Sequence, residues 1–169
     1  KEVPYHYFDE KIYQFHSCYR KKFAVSHQLQ GMCLFIDFDG VMCYAKVFVN
    51  GQFVGEHKGG YVPFSVEITQ YVEYGEGENN LLTVYVDSTE RPDIPPFGGE
   101  VDYLCYGGIY RDVILRAVPH CHIESIYARP VSVLVAEKSV QVDIAITHSD
   151  RTNKPIDISV TLFDSRNRK

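Results

Sequence analysis

Apolar and polar residues alternate with a period of two through most of the chain, the spacing of half-buried β-strands and not of helices. In LFIDFDGV, Leu34, Ile36 and Phe38 fall on one face, and Phe35, Asp37 and Asp39 on the other. KVFVNGQFVG gives the sharpest local signal. Asn50 and Gly51 tolerate the positive φ angles of a type I′ turn, so the two flanking apolar runs are predicted to form a tight hairpin with Phe48 opposite Phe53. VPFSVEI continues the alternation through Phe64, Val66 and Ile68. After the turn signal YGEGENN, the run LLTVYVD is predicted to bury Leu82, Val84 and Val86. The alternation then stops at STERPDIPPFGGEVD, a long loop with three of the eight prolines; a loop of that length in a compact domain is usually functional or mobile. IYRDVILRAV resumes the strand pattern and Pro119 ends it.

Beyond Pro119 the texture changes to short Val/Ile runs between polar turns: HIESIYA, SVQVDIAIT, the turn HSDRTNKP, then DISVTLFD. Three or four strands fit, about half of an immunoglobulin-like sandwich, which needs about seven strands and about 100 residues. A sandwich divided there leaves open edges and an uncovered apolar face, so poor order or pairing with another chain is expected. The fold class is all-β. The chain opens KEVPYHYF without a methionine and stops at DSRNRK, and both ends are expected to be cut from a longer polypeptide.

At 169 residues, 45% of them apolar, the chain can bury a real core. Its net charge of −5 offers no basic footprint, so neither nucleic acid nor an anionic membrane is expected as a partner. No apolar run approaches the roughly 20 residues of a membrane helix. Five cysteines, an odd number without CxxC spacing, are read as reduced thiols, which favours a cytoplasmic setting.

The order and spacing of four stretches carry a family resemblance: CYRKKF, FDGVMCYAKVFVNGQFVGEHKGGYVPFSVEIT, ENNLLTVYVD and DYLCYGGIYRDVIL. Over residues 18 to 118 the chain resembles the N-terminal part of glycoside hydrolase family 2 enzymes, the group of the β-galactosidases and β-glucuronidases. The resemblance implies a jelly-roll, galactose-binding-domain-like β-sandwich over 1–118. It also implies a truncated immunoglobulin-like β-sandwich over 119–169. The aspartate six residues before the Gly-Ile pair, here Asp102, is implied to reach into the active site of a separate barrel and contact sugar hydroxyls. In the galactosidase type it also helps hold a sodium ion. A carboxylate suits both tasks, accepting hydrogen bonds from hydroxyls and giving a cation hard oxygen. Leu104 and Cys105 are not hallmark residues of the family, so they carry over no sugar preference.

The remaining residues of the motif read as scaffold. Gly59, Gly60, Gly107 and Gly108 place flexible backbone where strands begin. Arg111 and Asp112, read as strand neighbours, point to opposite faces and are expected to form separate ion pairs. Tyr61, Tyr103, Tyr106 and Tyr110 are assigned to core and interface because each sits in or beside a predicted strand.

Glycoside hydrolysis generally needs two carboxyl groups about 5 to 9.5 Å apart. The resemblance puts both on barrel strands, and this chain has neither a βαβα pattern nor an Asn-Glu dipeptide of the kind that carries the family's acid/base. Glu90, Asp93, Glu100 and Asp102 share the long loop, where glutamates are more often solvated than catalytic. In the string His120-Cys121-His122, strand alternation puts two histidines on one face and the cysteine on the other, too few ligands for a metal. A Cys-His nucleophilic pair is not selected by any spacing. The reading is a non-catalytic N-terminal segment of a β-glycoside hydrolase that supports the barrel and contributes Asp102. A free-standing carbohydrate-binding module and a structural domain that presents a surface for homo-oligomerisation are the alternatives.

Overall fold

The computed structural model describes residues 14–77, 79–96, 103, 105–148 and 155–167. They divide into two compact units, one ending at His120 and one starting at Cys121.

The first unit is a sandwich of two antiparallel sheets. One has the order β1-β7-β4-β5, built from β1 (His16–Phe23), β4 (Tyr44–Val49), β5 (Gln52–Lys58) and β7 (Asn80–Asp87). The other has the order β6-β2-β9, from β2 (Cys33–Phe38), β6 (Phe64–Glu67) and β9 (Val113–Val118). A short pair, β3 (Val41–Met42) with β8 (Gly108–Ile109), forms its own ladder. The alternation predicted from the sequence is the observed one. Leu34, Ile36, Phe38, Val66 and Ile68 from one sheet meet Ala45, Val47, Val49, Leu82, Val84 and Val86 from the other, all buried. Each of the Val, Leu, Ile and Phe side chains among them contributes about 1.5–3 kcal/mol relative to exposure. Phe38 stacks on Phe64 at 4.7 Å, and Phe64 on His57 at 4.2 Å.

The hairpin is also as expected: Asn50 and Gly51 have φ of 51° and 80°, and Phe48 pairs with Phe53. A bulge between Val47 and Phe48 lets Val54 turn into the core while Phe53 stays outside.

The second unit has two described strands, β10 (Cys121–Val131) and β11 (Ser139–His148), paired antiparallel with a bulge between Ile123 and Ser125. Three or four strands were expected, but 155–163, which contain the alternating DISVTLF, carry no ladder among the described residues. Alternation alone does not make a strand without a partner for its N–H and C=O groups. The predicted turn HSDRTNKP falls largely outside the described residues.

Candidate functional site

The long connection from β7 to β8 leaves and rejoins the sandwich at one end, and both of its roots are built from side chains that sequence distance conceals. At the outgoing root, Asp87 is buried. Burial pushes its carboxyl upward, but hydrogen bonds from the Thr89 hydroxyl and backbone N–H, with the charges of His16 and Arg91, hold it below its ordinary value. The Thr89 donors lie 2.6 and 3.0 Å from Oδ1, and Arg91 Nη1 lies 3.4 Å from Oδ2. Asp93 sits between two cations, 2.6 Å from Lys58 Nζ and 3.1 Å from Arg91 Nε. Lys58 first, then Arg91, hold its carboxyl at about 2. The Arg91 guanidinium also lies over the Tyr44 ring, 4.9 Å from its centroid. Ile94 completes the root, buried beside Met42 and Cys43.

The returning root is fastened by the β3–β8 ladder, in which Val41 pairs with Ile109 and Met42 with Gly108. Gly108 has φ +98°, and a Cβ there would collide with the Tyr19 hydroxyl. Gly60 is needed for a different reason, since a Cβ would run into the thioether of Met42. The Tyr110 hydroxyl donates to the Gly60 carbonyl, tying the root to the turn that carries Tyr61. Cys105 packs against the Met42–Cys43–Ile94 cluster, its Sγ 3.8 Å from the Tyr61 hydroxyl.

Several sequence expectations change here. Asp102, the candidate substrate and sodium ligand, lies outside the described residues, as do Glu100 and Leu104. Arg111 and Asp112 precede β9 instead of lying in it, and neither forms an ion pair among the described residues. Arg111 stacks over Tyr110 at 5.7 Å, and the Asp112 carbonyl accepts from the Asp39 N–H at 3.0 Å. The ion-paired arginine of this segment is Arg116, whose Nε and Nη2 donate to Asp37 at 2.6 and 3.0 Å. Of the core-and-interface reading of the tyrosines, the core half does not hold: Tyr61, Tyr103, Tyr106 and Tyr110 show 39–65% of their surface. None of the four lies within a strand. His120 precedes β10, so it does not share a strand face with His122; its Nδ1 lies 3.2 Å from Cys33 Sγ. All five cysteines are free thiols.

Chemically the described root is a set of satisfied charges. Among the described residues no three His, Cys, Asp or Glu side chains converge as a metal set. Asp87 and Asp93 spend their oxygens on Thr89, Arg91 and Lys58, so they do not fit a sodium site. Among the described residues no helix is long and apolar enough to cross a membrane.

The first unit is thus an all-β domain, a two-sheet antiparallel sandwich with a long loop rooted at one end. The family profile "Glycosyl hydrolases family 2, sugar binding domain" matches residues 3–119, and the chain belongs to that family. A β-galactosidase of Thermoanaerobacter pseudethanolicus is 50% identical over 147 residues, 86% of this chain and 20% of the relative. A β-galactosidase of Thermoanaerobacterium thermosulfurigenes is 41% identical over 168 residues, 99% of this chain and 23% of the relative. A solved β-glucuronidase of an uncultured Clostridium species superposes with a TM-score of 0.69 at 30% identity, covering 78% of this chain and 24% of that one. The chain thus spans about a fifth to a quarter of the length of the relatives it matches.

Proposed function

We propose that the chain is the sugar-binding segment of a β-glycoside hydrolase, supporting a catalytic region that carries the two reacting carboxylates and extending Asp102 toward a sugar hydroxyl there. The match over residues 3–119 to the sugar-binding domain carries this reading. Residues 119–169 begin an immunoglobulin-like domain in the same reading. A sodium ion beside Asp102 is part of it as well, since a carboxylate gives a hard cation the oxygen it prefers. The packed roots on either side, residues 87–94 and the β3–β8 ladder, support that role, since substrate positioning by a remote group depends on a defined scaffold.

The test is a chimera in which this chain replaces the matching 168 residues of the T. thermosulfurigenes β-galactosidase. The chimera is expected to hydrolyse an aryl β-galactoside. Asp102→Ala should lower kcat/KM by about tenfold or more, the loss of one charge-assisted hydrogen bond to substrate. The chain alone should leave the glycoside intact. Full activity in the Asp102→Ala chimera, or cleavage by the isolated chain, would overturn the reading.

A further inference from the structure

The four-stranded sheet turns its second face away from the core, and the register fixes which side chains stand there. Arg20 pairs with Thr83, Thr83 with Phe48 and Phe48 with Phe53, one row across all four strands. The next row is Cys18, Tyr85, Lys46 and Glu56, and Lys22 stands opposite Leu81. Their strand neighbours Ala45, Val47, Leu82, Val84 and Val86 are buried, so these residues face outward. Phe53 is 52% exposed, its ring edge-on to Phe48 with centroids 5.6 Å apart.

Arg20, Lys22 and Lys46 share this face with Glu56, whose Oε2 already accepts from the Tyr44 hydroxyl at 2.6 Å; the row beyond holds His16, Asp87, Tyr44 and Lys58, with Lys58 paired to Asp93. None of the three cations is in an ion pair among the described residues. In a chain of net charge −5 the sign of the surface is locally inverted.

From this face we infer a second glycan-binding surface, separate from the contact made by Asp102, that takes an oligosaccharide bearing carboxylates, a uronic-acid chain. The two phenylalanines offer apolar ring surface against the C–H face of a pyranose. Arg20, Lys22 and Lys46 offer charge-assisted hydrogen bonds to carboxylates. The row runs across the strands, which lie about 4.7–4.9 Å apart, so Phe53 and Arg20 are roughly 14 Å from each other. A short sugar chain lying across the sheet spans that distance. An acidic peptide added to the β5 edge would run along the strand and leave Arg20 and Lys22 untouched. A neutral sugar would leave the cations unused.

Calorimetric titration of the 169-residue chain tests the inference with three probes: tetragalacturonate, a neutral galacto-tetrasaccharide and a short poly-glutamate. Tetragalacturonate is expected to bind saturably and more weakly as salt rises, at least about tenfold more tightly than either comparison. Arg20→Glu with Lys22→Glu, and separately Phe53→Ser, should each weaken it about tenfold while leaving the thermal midpoint in place. Asp102→Ala should leave it unchanged, which separates this surface from the proposed reaction-centre contact. Equal binding of poly-glutamate, equal binding of the neutral sugar, or no saturable binding of tetragalacturonate would each overturn the inference.

Discussion

The side-chain amide of Asn50, at the tip of the β4–β5 hairpin, donates to Asn80 Oδ1, at the start of β7, at 2.9 Å. Asn50 also donates to the Tyr71 carbonyl at 2.9 Å and accepts from the Leu81 N–H at 2.8 Å. Asn80, 1% exposed, accepts from the Glu73 N–H at 2.7 Å and donates to the Glu73 carbonyl at 2.8 Å. The turn residue therefore does more than adopt positive φ: with Asn80 it closes a polar network over the end of the core.

Asn80→Ala leaves one N–H of the Asn50 amide and both Glu73 backbone groups without their partner in a buried setting. The expected cost is about 2–4 kcal/mol of stability in the sandwich unit, read as a lower urea midpoint at unchanged slope. Asn50→Gly keeps the positive φ but loses the network, so it should cost less than Asn80→Ala and more than zero. A loss under 0.5 kcal/mol for Asn80→Ala, about the scale of an ordinary surface change, would mean that water replaces the network.

Much of this was legible in the sequence, and the reason is local. Leu34, Ile36, Phe38, Leu82, Val84 and Val86 announce their burial by period alone, and Asn50-Gly51 announces its turn by backbone preference. The anchors were not legible. Lys58 meets Asp93 across 35 residues, and Arg116 meets Asp37 across 79. Such pairs depend on which strands become neighbours, which no local spacing reveals. Arg-Pro-Asp at 91–93 did carry a hint, an arginine and an aspartate close enough to bond across one residue. Arg111 and Asp112 misled because IYRDVILRAV was read as one strand, whereas β8 ends at Ile109 and β9 starts at Val113. Of the candidate site, the sequence named Asp102 through resemblance; the roots that hold its loop came only from the structure.

Gly108 should tolerate alanine poorly. Its φ of +98° is strained for any L side chain, and the new Cβ would displace the Tyr19 hydroxyl. The expected loss is about 1–3 kcal/mol, measured by chemical unfolding. Gly60→Ala is the comparison: there the obstacle is the flexible Met42 thioether, which can swing aside, so the loss should be smaller. The reverse order would show that close approach to Met42, and not the backbone at Gly108, limits the β3–β8 ladder.

The acid side of the stability profile should respond to Asp93. Its folded value, about 2, lies below the roughly 3.9 of a free aspartate. A depressed carboxylate contributes stability that is fully present above the unfolded value and lost as the pH falls through the folded one. Thermal midpoints of the native chain and Asp93→Asn should therefore differ most above pH 4, about the free-aspartate value, and converge toward pH 2. Asp37→Asn should converge in the same direction, because Arg116 holds Asp37 below its ordinary value. A gap that widens on acidification would contradict the assigned pairs.

Thiol reactivity gives a direct check on the packing at the loop root. Cys18 and Cys121 are exposed, Cys105 is half-buried, and Cys33 and Cys43 are buried. Burial pushes the Cys43 thiol up, and the charge of Asp87 pushes it further, so its thiolate is scarce as well as shielded. Its Sγ also donates to the Asp87 carbonyl at 3.4 Å. A disulfide-exchange reagent at neutral pH should label Cys18 and Cys121 rapidly and Cys105 more slowly. Cys33 and Cys43 should react only after denaturant is added, each site assigned by peptide mass. Asp93→Asn removes the acid that Arg91 Nε and Lys58 share, and so loosens the 91–94 turn that seats Ile94 beside Cys43. In that variant Cys43 labelling should accelerate while Cys33, on the far side of the sandwich, stays protected. Equal acceleration of both would signal general loosening of the sandwich and not release of the root.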